Sequence, residues 1–151
     1  MTPSADRPSP PGGETGSGTQ PGESLASFGL DAVSLFLFSA ACGLTHRIHY
    51  DERYARSEGF DGLPVQGPLQ GALIAQVFDQ VARRSGRRLA ALQIKHVSPA
   101  YAGQEFRLIP EPARLVGPGS PAEEIGFRLV TGSGTVVSTG TASLALASAP
   151  A

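Results

Sequence analysis

The sequence predicts an α+β domain in which an antiparallel sheet packs against one long helix. Three observations carry this. An apolar stretch with helical spacing runs through Leu69, Leu73, Val77 and Val81. After Gly86 the apolar period changes from about 3.6 to 2. Proline and glycine then divide the period-two part into short segments at Ser98-Pro99, Gly117-Pro118-Gly119 and Gly132-Ser133-Gly134.

The elements follow in order. Residues 1–23 are Pro, Gly, Ser, Thr and charge, with almost nothing apolar, and cannot bury enough surface to offset their ordering entropy. They are expected to form a disordered tail, leaving residues 24–148 as the single domain, with Ser148 to Ala151 a frayed end. Val33 to Phe38 is apolar and aromatic, which predicts a first strand. Asp51 is placed to cap a short helix reaching Ser57.

The long helix opens at Gly67-Pro68-Leu69, since proline in a first helical turn gives up no needed N–H. Ala72, Ile74 and Phe78 flank the main apolar line, so the helix is apolar around much of its circumference and is expected to be buried. Arg83 and Arg84 suit the negative end of the helix dipole, and Gly86 suits the stop. Four strands follow, around Leu92 and Ile94, Phe106 and Leu108, Ile125 to Leu129, and Thr135 to Leu146.

Composition excludes several functions. The chain carries 12 basic and 13 acidic residues, a balance that points to neither nucleic acid nor an anionic membrane as partner. Cys42 is the one cysteine, so no internal disulfide and no zinc-type ligand set is expected. It reads as a small buried core residue rather than a nucleophile. The Ala32 to Leu44 stretch is too short to span a bilayer and no leader is evident, so a cytoplasmic protein is expected.

The chemistry lies in Phe38 to Asp51, which ends in His46-Arg47-Ile48-His49-Tyr50-Asp51, and in Gly62 to Gln70 with Gly67-Pro68-Leu69 at its centre. Together these resemble the MaoC-like hydratases and dehydratases, in the branch similar to mesaconyl-CoA hydratase and the 3-hydroxyacyl-thioester dehydratases. The match is clear over residues 38–76 and looser from Lys95 to Pro99 and at Gly103. The resemblance implies a single hotdog domain, an antiparallel sheet wrapped around one long central helix. It implies an acyl-thioester lyase that needs no separate cofactor, since coenzyme A or phosphopantetheine arrives as part of the substrate.

Adding water to an enoyl thioester, or removing it from a hydroxyacyl one, needs proton-transfer groups and donors for the enolate oxygen. By resemblance, His49 is the acid–base group and the backbone N–H of Gly67 faces the thioester oxygen, a role suited to a helix N-terminus. Tyr50 and Lys95 are expected to bind substrate, with His46, Gln66 and Ser39 in support. The family's acid–base partner stands five residues before the histidine, and here that position is Leu44, which cannot move a proton. Gln66 replaces the histidine that more often precedes the glycine.

Three accounts of Leu44 stay open. A nearby residue (His46, Ser39 or Thr45) takes over; the reaction needs only one base, as in a cyclisation or double-bond migration; or the chain is a non-catalytic binding or partner subunit. A thioesterase is disfavoured because no carboxylate or serine is clearly placed to attack. His96 reads as structural, and the His46/His49 pair lacks a third metal ligand. The cluster Arg83, Arg84, Arg87 and Arg88 reads as a solvated helix end rather than a phosphate site. The resemblance also implies a homodimer or pairing with another hotdog chain, and makes an acyl carrier protein a candidate partner.

Overall fold

A computed structural model describes residues 23–115 and 122–147. The tail expected at residues 1–23 falls outside these residues except for Glu23, as do the frayed end expected from Ser148 to Ala151 and the Gly117-Pro118-Gly119 segment.

The chain begins with β1 (Ala26–Gly29), then α1 (Ala32–Cys42), a single 3₁₀ turn over Arg47–His49, α2 (Glu52–Ser57) and the long α3 (Gly67–Arg84). Five further strands follow: β2 (Arg87–His96), β3 (Glu105–Pro110), β4 (Arg114–Leu115), β5 (Glu123–Thr131) and β6 (Val136–Leu146). They form one antiparallel sheet in the order β1-β3-β5-β6-β2, with β4 continuing along the β3 side of β5. Register shifts leave Ala90 of β2 extra opposite β6, and Val137 of β6 extra opposite Leu129 and Val130 of β5, bending β2 and β6 as bulges do. The bent sheet curls around α3, the arrangement the resemblance implies.

The first strand lies earlier than expected. Val33 to Phe38 is helix, not strand. Asp31 explains why: its carboxylate accepts from Ser34 N at 2.7 Å and from Ser34 Oγ at 2.6 Å, satisfying the first turn. Gly43 ends the helix at φ 66°, a left-handed conformation that suits glycine. An apolar run between two such caps is long enough for a helix, and periodicity alone does not separate it from a buried strand. Nor is the run a core element. α1 buries Leu35 and Ser39, while Val33, Phe36 and Leu37 stay more than half exposed. Cys42, expected in the core, is exposed at the end of this helix.

Helix α3 starts and stops where expected, but its buried line is Gln70, Ile74, Phe78 and Ala82, with Leu69 beside it. The line of Leu73, Val77 and Val81 is one position over and only half-buried. Phe78 packs on Phe127 of β5 with ring centroids 5.3 Å apart. Phe106, Leu108, Leu129, Val137 and Leu144 complete the inner face, alternating as half-buried strands require. Gly140 in β6 permits this close packing, since a Cβ there would fall on the Gln93 carbonyl oxygen and lie 2.7 Å from Phe127 Cζ.

The basic cluster divides. Arg83 pairs with Asp79 within α3, whereas Arg87 and Arg88 belong to β2, where Arg87 lies 3.6 Å from Glu123. Among the described residues, no helix is long and apolar enough to cross a membrane. Strand β2 pairs with β6 along one side and forms one edge of the sheet.

Candidate active site at the N-terminus of the central helix

The first N–H groups of an α-helix have no partner within the helix. At α3 the N-cap residue, Gln66, is extended (φ −60°, ψ 133°) but makes no side-chain cap. Its amide instead turns inward, where Nε2 donates to the Leu35 carbonyl at 2.8 Å and to Ser39 Oγ at 2.9 Å. Gln66 is only 1% exposed, and its buried Oε1 has no hydrogen-bond partner among the described residues. The side chain therefore ties α1 to the start of α3 and leaves the Gly67 N–H uncapped, at the positive end of the helix dipole.

His49 ends the 3₁₀ turn and is half-buried. Its Nδ1 lies 2.8 Å from the Pro64 carbonyl oxygen. That oxygen can only accept, so Nδ1 carries the proton, and neutral His49 has its lone pair on Nε2. The Pro64 segment is itself held. Pro64 bridges Tyr101, and Val65 N donates to the Ala100 carbonyl at 2.7 Å. Pro64 precedes Gly67 by three residues, so His49 is anchored within about 11 Å of the helix start even for extended chain.

The turn is braced from its other side. Arg47 reaches Asp51 at 2.6 Å and stacks 4.6 Å from the centre of the Tyr54 ring. The Arg47 hydrogen bond, with help from the Tyr54 N–H, holds the Asp51 carboxyl below its ordinary range. Asp51 caps α2 as expected, accepting from Tyr54 N at 3.0 Å.

Of the other expected site residues, Ser39 sits beneath Gln66, 5% exposed. His46 is exposed, its ring 6.3 Å from that of His49. The Tyr50 hydroxyl donates to the Thr45 carbonyl at 2.7 Å, closing its own loop. Lys95 lies on the outer face of β2 beside Gln93, Thr139 and Thr141 and is not brought to the α3 start. Leu44 follows the α1 cap, half-buried, with an apolar side chain where a proton-transfer group was sought.

His96, read from sequence as structural, is brought by the sheet to the start of α3. It shares the inner face of β2 with Leu92 and Ile94, and its Nε2 lies 2.8 Å from where a Cβ on Gly67 would stand. Its Nδ1 is 2.9 Å from Ser138 Oγ, whose hydroxyl donates to Gln70 Oε1 at 2.9 Å. The only sequence signal was the period-two register of β2, which sets His96 on the same face as Ile94.

A curled antiparallel sheet around one long helix is the architecture of the MaoC-like hotdog proteins. The comparisons agree. The profile described as hydroxyacyl-thioester dehydratase type 2 matches residues 4–102. Mesaconyl-C(4)-CoA hydratase of Chloroflexus aurantiacus is 35% identical over 83 residues, which are 54% of this chain and 29% of that protein. This chain thus spans less than a third of that relative's length. The (R)-hydratase of A. caviae superposes with a TM-score of 0.73 at 21% identity, covering 85% of this chain and 97% of that one. A chain of the ChsH1-ChsH2 complex of Mycobacterium tuberculosis gives 0.68 at 17% identity, covering 85% and 99%. The chain belongs to the hydroxyacyl-thioester dehydratase type 2 family.

The Gln66 tie is testable by truncation. Gln66→Ala strands the buried Ser39 hydroxyl and should lower stability by about 1–3 kcal/mol, read from the midpoint of urea unfolding. An unchanged midpoint would show that the tie contributes nothing.

Proposed function

We propose that this chain is a hydratase/dehydratase of acyl thioesters acting at the start of α3. One observation carries the reading: three residues before an uncapped helix N-terminus at Gly67, the Pro64 carbonyl fixes which nitrogen of His49 is free. Family membership supports it. The thioester oxygen accepts from the Gly67 N–H, where the dipole favours the negative charge that develops as the enolate forms. His49 Nε2 exchanges a proton with the water or hydroxyl at C3. Coenzyme A or a carrier-protein phosphopantetheine arrives with the substrate. Tyr50 acts by holding the 45–50 loop, whereas Lys95, on the outer face, is not part of this reading.

A second reading rests on Leu44. With no proton-transfer group at that position, a reaction needing one base, such as double-bond migration, also fits His49 alone. The two are separated by the product formed from one enoyl thioester.

The direct assay is loss of the conjugated thioester absorbance of crotonyl-CoA. The protein should deplete it, and His49→Ala should slow the reaction by about 10²–10⁴-fold. Depletion at equal rates in both proteins would remove His49 from the mechanism.

We further propose that the chain works as a pair of hotdog domains, either two copies or one copy with another hotdog chain. The support is the ten-residue edge strand β2, which carries the His96 end of the site. Light scattering on the purified protein should give twice the 15.6 kDa chain mass for a homodimer. A 15.6 kDa species at micromolar concentration would exclude self-pairing.

A further inference from the structure

We propose that His96 is the second catalytic residue, exchanging the C2 proton of the thioester and so supplying the function absent at Leu44. This rests on the hydratase/dehydratase reading above.

The hydrogen bonds behind His96 fix which of its nitrogens is bare. Gln70 Nε2 donates to the Val65 carbonyl at 3.4 Å, which orients the amide and leaves Gln70 Oε1 as an acceptor. Ser138 spends its one hydroxyl proton on that oxygen at 2.9 Å. Ser138 Oγ can then only accept from His96, so His96 Nδ1 carries the proton at 2.9 Å and neutral His96 presents a free Nε2. Ser138 is 0% and Gln70 5% exposed, so water does not readily scramble this chain. His96 itself is exposed, so its free nitrogen is open to a ligand.

The position of that nitrogen assigns its role. It lies 2.8 Å from the Cβ position of Gly67, and hence no more than about 5.5 Å from the Gly67 N by ordinary bond lengths. A thioester oxygen bonded to the Gly67 N–H brings its own α-carbon, two bonds away, to the same place. His49 is anchored farther back along the chain, at Pro64, which suits the oxygen at C3. Glycine at 67 is needed for this approach, because a side chain would occupy the space of the imidazole edge.

The step balances without a co-reactant. In dehydration, His96 Nε2 takes the C2 proton, and the C–H electron pair passes into the enolate held at Gly67. The enolate then collapses to the C2=C3 double bond. The C3–O bond breaks with its electron pair on oxygen, which takes a proton from His49, protonated on Nε2 from solvent before the step, and leaves as water; solvent then takes the proton from His96, so the pair returns to its starting state. Hydration is the reverse.

The chain has three histidines, so nitrogen-15 labelling of the full-length protein resolves each ring. At a pH above the ordinary histidine range, His96 should show the Nδ1–H form, and Ser138→Ala should move it toward the Nε2–H form. An Nε2–H form insensitive to Ser138→Ala would overturn the proposal. In crotonyl-CoA hydration, His96→Gln should lower kcat by about 100-fold or more with little change in KM, and the slope of kcat against pH should change. A kcat within threefold of the parent would overturn it. If the parent protein turns over neither crotonyl-CoA nor 3-hydroxybutyryl-CoA, the hydratase reading itself fails. Crotonyl-CoA titration into the labelled protein still separates the cases. A shifted His96 signal keeps the ring in the ligand site but ends its acid–base role, and an unmoved signal removes it from the site.

Discussion

The arrangement depends on how the first turn of α3 disposes of its polar groups. A helix start normally recruits a side-chain oxygen as a cap. Here the N-cap side chain is spent on α1 instead, where Gln66 Nε2 holds the Leu35 carbonyl and Ser39 Oγ. The buried Gln66 Oε1 gains no bond in return, a cost that a purely structural N-cap would avoid. What results is an open Gly67 N–H at the dipole's positive end, in a segment pinned to Ala100 and Tyr101. Everything proposed about chemistry uses that open donor.

Two imidazoles approach this point from different elements by the same device. His49 is oriented by the Pro64 carbonyl, and His96 by the Ser138–Gln70 chain. Each orienting group leaves Nδ1 protonated and Nε2 free, which prepares the neutral ring to accept a proton. The curled sheet makes this convergence possible. Bulges bend β2 and β6, Gly140 lets β6 close on β2, and the inner-face register of β2 carries His96 to the start of α3.

Much of this was legible in the sequence. Pro68 marked the start of α3, the period-two runs marked β2, β3, β5 and β6, and Asp51 marked the α2 cap. The His46 to Asp51 run pointed to His49. The α1 segment misled because its apolar run fits a buried strand as well as a helix; the deciding signals were Asp31, two residues before Val33, and Gly43, five residues after Phe38. The buried line of α3 fell one position from the expected one, because Gln70, polar in sequence, is a buried member of the Ser138 chain. The two-residue β4 is too short to leave a periodic signal. The place of His96 was not legible because it comes from Gly67 and from Ser138, itself bonded to Gln70, all distant in sequence.

The central claim is that the thioester oxygen is held by the Gly67 N–H with the two histidines on either side of C2 and C3. A crystal structure with a non-reactive ketone analogue of an acyl-CoA tests it most directly. The account predicts the carbonyl oxygen within about 3.2 Å of Gly67 N, with His96 Nε2 nearest C2 and His49 Nε2 nearest C3. A carbonyl bound elsewhere, with the start of α3 empty, would contradict it.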